Sequence, residues 1–140
     1  MRMIKTLLVA VMLAPTLSWS DIAVIVNPNN PLRQISTQQV AEFYLGQTRT
    51  FSNGEYALIF DHPRDAPLRE KFFAAVTGMS PQQVNAYWSR LMFTGQVQPP
   101  QPLPNERAVL DIVRRNAGAI GYIKSSEVDA TVRVLLVLKE

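Results

Sequence analysis

The feature that most constrains this chain is its punctuation: short apolar runs alternate with helical stripes that open on capping residues. Ile22 to Val26 is an unbroken apolar run closed by Asn27-Pro28-Asn29-Asn30-Pro31, which predicts a buried strand followed by a turn-rich loop. Ser36 with Gln39 three residues on makes a capping box, and Ile35 can staple onto Val40. Val40, Phe43 and Tyr44 give that helix its apolar face, and Gly46 supplies the stop. Asn53-Gly54 marks a turn before a strand expected from Tyr56 to Phe60. Asp61 to Pro67 reads as a polar loop, after which Leu68, Phe72 and Val76 line one stripe of a second helix. The third helix repeats the first opening: Ser80 caps, Pro81 takes the first turn, Gln83 closes the box and Met79 can staple to Val84. Val84, Trp88 and Leu91 follow at helical spacing as a core stripe, with Tyr87 beside them. Gly95 to Pro104 is rich in proline and glutamine and predicts an extended, stiff connector. Asn105 caps a fourth helix running to Arg115, Asn116-Ala117-Gly118 ends it, and Ala119 to Ile123 and Val132 to Leu138 are the last strands. Strands alternating with helices predict an α/β domain.

The first twenty residues read differently. Arg2 and Lys5 form a short positive region, Leu7 to Leu13 is apolar but too short to span a bilayer, and Ser18 and Ser20 are small residues at the positions a signal peptidase reads. Residues 1–20 are therefore expected to be a cleaved signal peptide and residues 21–140 the domain. Without Arg2 and Lys5, 12 basic residues face 11 acidic ones, so the mature charge falls from +3 to +1. That small excess removes the main support for nucleic acid as a partner. The chain has no cysteine, which excludes a disulfide framework, thiol chemistry and a lipid-carrying cysteine after the signal. The expectation is a periplasmic domain with no stable membrane anchor after processing.

Enzyme chemistry finds little to work with. A nucleophile needs an activating base, and His62, expected in a polar loop, is the only imidazole. No catalytic residue, metal set or cofactor is expected, because one histidine without cysteine leaves only scattered carboxylates. The richest polar constellation is Asp61-His62-Pro63-Arg64-Asp65-Ala66-Pro67-Leu68-Arg69, after a strand and opening a helix. Backbone N–H groups at a helix start, flanked by Arg64 and Arg69, are suited to an oxyanion. Alternatively, Asp65 caps the helix itself and the arginines are solvated.

The order of these segments resembles the phosphate-binding periplasmic proteins of ABC transporters. Val40-Ala41-Glu42-Phe43-Tyr44-Leu45-Gly46-Gln47 looks like the "I-F-x-G-K" helix end of that family. Asn116-Ala117-Gly118-Ala119-Ile120-Gly121-Tyr122-Ile123 looks like its "P-G-A-I-G-Y-V" turn into a strand. Asp61 to Phe72 occupies the place of its "G-S-G-T-x-x-x-F" anion loop and helix, with Asp65-Ala66-Pro67-Leu68 standing where the family has Gly-Ser-Gly-Thr. The resemblance covers about Asp21 to Leu138 and implies one lobe of a type II periplasmic binding protein, a mixed sheet flanked by helices, in a family whose members are two-lobed with the ligand between lobes.

The resemblance implies a solute-binding module for phosphate or a similar oxyanion, linked to ABC transport. Asp61, His62, Arg64, Asp65, Ala66, Leu68 and Arg69 are its expected ligand-binding segment, and a transporter or periplasmic sensor its expected partner. The alternative is a non-enzymatic interaction or sensory accessory module in which that site is degenerate.

Overall fold

Each strand of the sheet is short, and four of the five are placed by apolar runs. The computed structural model describes residues 21–95 and 97–139, so the expected signal peptide lies outside the described residues. The elements run β1 (Ile22–Val26), α1 (Thr37–Tyr44), β2 (Leu58–Asp61), α2 (Pro67–Thr77), α3 (Pro81–Phe93), β3 (Gln101–Pro102), α4 (Glu106–Arg115), β4 (Ala119–Lys124) and β5 (Arg133–Leu138). They form one five-stranded sheet in the order β3-β2-β4-β1-β5. β1 is antiparallel to both β4 and β5, while β2 is parallel to β3 and β4, so the sheet is mixed.

β1 is apolar at every position because both of its faces are covered. Ile22, Val24 and Val26 face the larger core under α1, α2 and α3, while Ala23 and Ile25 face the smaller core under α4. On the α4 side, Gly121 lets helix and sheet approach closely: a Cβ there would stand 2.6 Å from Val109 Cγ1. The larger core is aromatic, with the Phe72 and Tyr122 rings stacked at 3.7 Å and Tyr44 set edge-on to Phe72 at 4.7 Å.

The helix starts follow the chain's capping residues. Both Ser36 and Ser80 accept a hydrogen bond from the N3 backbone N–H, and the N3 glutamines return the bond, closing both capping boxes. Asn105 caps α4 through Ala108 N–H at 2.9 Å. Gly46 ends α1 with φ +72°, and its missing side chain also admits the edge of the Trp88 ring.

Three expectations change. The strand expected from Tyr56 begins at Leu58, because Tyr56 instead bridges back to Thr50 across the Asn53-Gly54 turn. The segment expected to be a polar loop begins inside the fold: Asp61 ends β2, and Asp61 and His62 are 4 % and 3 % exposed. The proline-rich connector does more than span, since Gln101–Pro102 pairs with the end of β2. A loop after β1 is also tied down firmly. Asn27 donates its side-chain amide to the Val113 and Arg114 carbonyls at the end of α4, and Arg133 clamps the Pro28, Asn30 and Leu32 carbonyls.

Candidate functional site

β2 ends by delivering a carboxylate into the aromatic core, where its charge must be matched. Asp61 Oδ2 accepts from Arg69 Nε at 3.1 Å, and Oδ1 accepts from the Tyr122 hydroxyl at 2.5 Å and the His62 backbone N–H at 2.8 Å. Three donors on one buried carboxylate make it a fixed structural anion. Burial, and then the Asp61 charge, push the Tyr122 and Tyr44 hydroxyls well above their ordinary range, so both remain protonated at neutral pH. Tyr44 in turn donates to the Phe60 carbonyl at 2.7 Å.

His62 follows directly and is fixed by its own contact. Its Nε2 lies 2.7 Å from the Tyr122 carbonyl oxygen, an acceptor only, so Nε2 carries a proton and Nδ1 is the free position of the ring. Arg69, at the third position of α2, is buried by packing its guanidinium over the Phe73 ring at 5.0 Å. Its Nη1 reaches the Arg64 carbonyl at 3.3 Å and Asn85 Oδ1 at 3.4 Å. Arg69 is thus held by Asp61 and by the α2–α3 contact, whereas Arg64 is exposed.

The start of α2 separates the expected segment into two clefts. On one side an open cleft of about 960 Å³ is lined by His62, Asp65, Ala66 and Leu68, with Lys71 on the next turn of α2. Its far wall is the start of α4 at Asn105 and Glu106, the end of β4 at Lys124, and Glu127 in the 3-10 turn that follows. On the other side, Asp61, Arg64 and Arg69 line a smaller cleft of about 200 Å³ with Asn85, Trp88 and Pro100, and His62 borders both. The arginines and the α2 start therefore do not converge on one point, which periodicity alone could not reveal.

Asp65 is not the cap of α2. The N-cap is Ala66, which offers no side-chain acceptor, and Pro67 takes the first helical position. The proline shifts the start by one residue, leaving Asp65 exposed at the cleft rim. Sequence reasoning missed Tyr122, Tyr44, Asn85 and Trp88 as neighbours of this segment; Tyr122 and Tyr44 lay inside the very motifs that carried the resemblance, but their polar ends gave no signal of facing Asp61. Among the described residues no cluster of three or more histidine, aspartate or glutamate side chains could hold a metal ion, and no helix is long and apolar enough to cross a membrane.

No protein-family model matches the sequence, and no curated protein matches it. Solved structures do match. A candidate phosphate ABC transporter substrate-binding protein with bound phosphate, from Clostridium perfringens, superposes with a TM-score of 0.66 at 21 % identity, covering 81 % of this chain and 43 % of its own. An ABC-type phosphate transport receptor from Vibrio cholerae gives 0.65 at 18 % identity, covering 84 % and 46 %. A candidate phosphate-binding protein from Planctomyces limnophilus gives 0.65 at 12 % identity, covering 85 % and 42 %. The chain spans less than half the length of these proteins. It has the fold of a single lobe of the phosphate-binding proteins of ABC transporters.

Proposed function

We propose that this is an exported solute-binding lobe that takes a small oxyanion, phosphate or a close relative, in the cleft at the start of α2. It would work in the periplasm beside an ABC transporter. The observation that carries the reading is the uncapped start of α2, in a fold shared with phosphate receptors. A helix start whose cap provides no acceptor keeps its partial positive charge for an incoming anion. His62, Lys71 and Lys124 lie along the same cleft, and Lys124 already answers Glu106 at 3.6 Å. Arg69 is not part of this reading, because its guanidinium serves Asp61.

A second reading, a non-enzymatic interaction or sensory module, is favoured by the carboxylates in that cleft. Asp65, Glu106 and Glu127 line it with Lys71 and Lys124, so the acids outnumber the lysines. Calorimetry with inorganic phosphate and sulfate at fixed ionic strength separates the two readings, since weak non-specific attraction fades with salt. The oxyanion reading expects saturable binding, tighter in Asp65→Ser because a rim carboxylate is removed. Ala66→Asp gives the sharper contrast. An aspartate at the N-cap should stabilise α2 by about 1 kcal/mol while occupying the Leu68 N–H the anion needs, abolishing binding, since Pro67 has no N–H and the Arg69 N–H already meets the Ala66 carbonyl. No saturable binding in the wild type or in Asp65→Ser leaves the interaction module. Intact mass of the protein recovered from the periplasm tests export, the expected species beginning at Asp21.

A further inference from the structure

The smaller cleft, on the other side of the α2 start, is built from donors. Arg69 is 8 % exposed, and although Nε and Nη1 are engaged, its Nη2 has no hydrogen-bond partner among the described residues. Asn85 turns its carbonyl oxygen toward Arg69, which leaves its amide N–H groups as its remaining polar atoms. Trp88 is 6 % exposed, and its buried Nε1–H has no partner among the described residues. That indole N–H is sealed from solvent and reports on the cleft from behind its wall, so the donor that most needs an occupant is the unpaired Nη2 of Arg69. The acceptors, by contrast, are spoken for: both Asp61 oxygens already take bonds from Arg69, Tyr122 and His62. With Arg64 and Arg69 against Asp61, the cleft carries a net single positive charge.

Apart from Ser89, the remaining wall is apolar, made by Met92 and the connector prolines Pro99, Pro100 and Pro102. At about 200 Å³ the space is below the roughly 300–1,000 Å³ of drug-sized sites. We propose that this cleft is a second ligand site, distinct from the oxyanion cleft, which binds a small monocarboxylate whose carboxylate meets Arg64, Arg69 and Asn85 and whose apolar body lies against Trp88 and the prolines. An inorganic oxyanion suits it poorly, because it would leave the apolar wall unused.

Benzoate is the probe, with neutral benzamide as its control. The chain has two tryptophans, so Trp19→Phe in the whole chain leaves Trp88 as the only indole resonance. Titrating ¹⁵N-labelled protein with benzoate at fixed ionic strength should shift the Trp88 Nε1–H cross-peak saturably, with a much smaller response to benzamide. Arg64 is exposed and Asn85 half-buried, so Arg64→Gln and Asn85→Ala should fold normally. Each should weaken benzoate about tenfold, the change one charge-assisted hydrogen bond carries. No saturable shift overturns the site, as does equal binding of benzamide or unchanged affinity in both variants. Competition by inorganic phosphate for benzoate would also overturn it, since the two clefts would then be one site. Failure of phosphate to bind anywhere defeats the oxyanion reading alone and leaves the benzoate result standing.

Discussion

Asp61 and Arg69 are close in sequence, eight positions apart, and their chemistry could be read in two ways until their burial was known. A guanidinium on a solvated helix start offers its whole fork to an anion from solution; the same group against a buried carboxylate has only Nη2 left to offer. Their side chains are 6 % and 10 % exposed, so this is an interior pair. Such pairs need not stabilise a fold relative to an apolar core, but removing one partner strands the other charge. Arg69→Met should therefore cost about 3–5 kcal/mol in denaturant unfolding. Adding Asp61→Asn in the same chain should restore part of that loss by removing the stranded charge. A neutral effect of Arg69→Met would mean that the Asp61 carboxylate does not depend on it. The sequence of residues 61–69 displayed all the charges of this network but not their direction, because the rotation of α2 about its axis decides which of Arg64, Asp65 and Arg69 share a cleft.

Elements were more legible than residues, since their ends are set by local chemistry. The two capping boxes are the clearest cases, each with both reciprocal hydrogen bonds made. Ser36→Ala and Ser80→Ala should each lower stability by about 1 kcal/mol, read from denaturant midpoints. Equal midpoints in wild type and variants would show that these bonds add nothing. Of the two readings of the α2 start, the one with Asp65 as cap fails for a physical reason: Asp65 is a good capping residue, but Pro67 fits the first helical position and puts the cap at Ala66. β3 escaped notice because two residues in a proline-rich connector carry no alternating pattern, and it exists only through its pairing with β2. Packing between elements was equally hidden. Gly121 reads as part of a turn-into-strand motif, yet its role is to let α4 sit against β4. Gly121→Ala should cost about 1–3 kcal/mol by overpacking against Val109.

For the whole molecule, the alternation of runs and caps was enough to indicate one α/β domain, and the family resemblance added a mixed sheet flanked by helices, whereas the polar centre of the larger core was invisible from pattern alone. That centre has a consequence for the stability of the entire domain. Tyr44 and Tyr122 are fully buried, and burial followed by the Asp61 charge holds both hydroxyls protonated well above the ordinary value of 10.0. In the unfolded chain each would ionise near that ordinary value. A pKa raised in the folded state makes its contribution fully present below pH 10 and progressively lost as pH rises beyond it, because only the unfolded chain then releases the proton. Unfolding free energy should therefore show no tyrosine-dependent fall up to about pH 9 and then decline, by about 1.4 kcal/mol per pH unit for each buried tyrosine. Tyr122→Phe removes one of the two linked protons and should roughly halve the alkaline slope, whatever it does to the midpoint at neutral pH. Denaturant unfolding of wild type and Tyr122→Phe between pH 7 and pH 11.5 measures both slopes, and identical slopes would mean that Tyr122 ionises in the folded protein as easily as in the unfolded one.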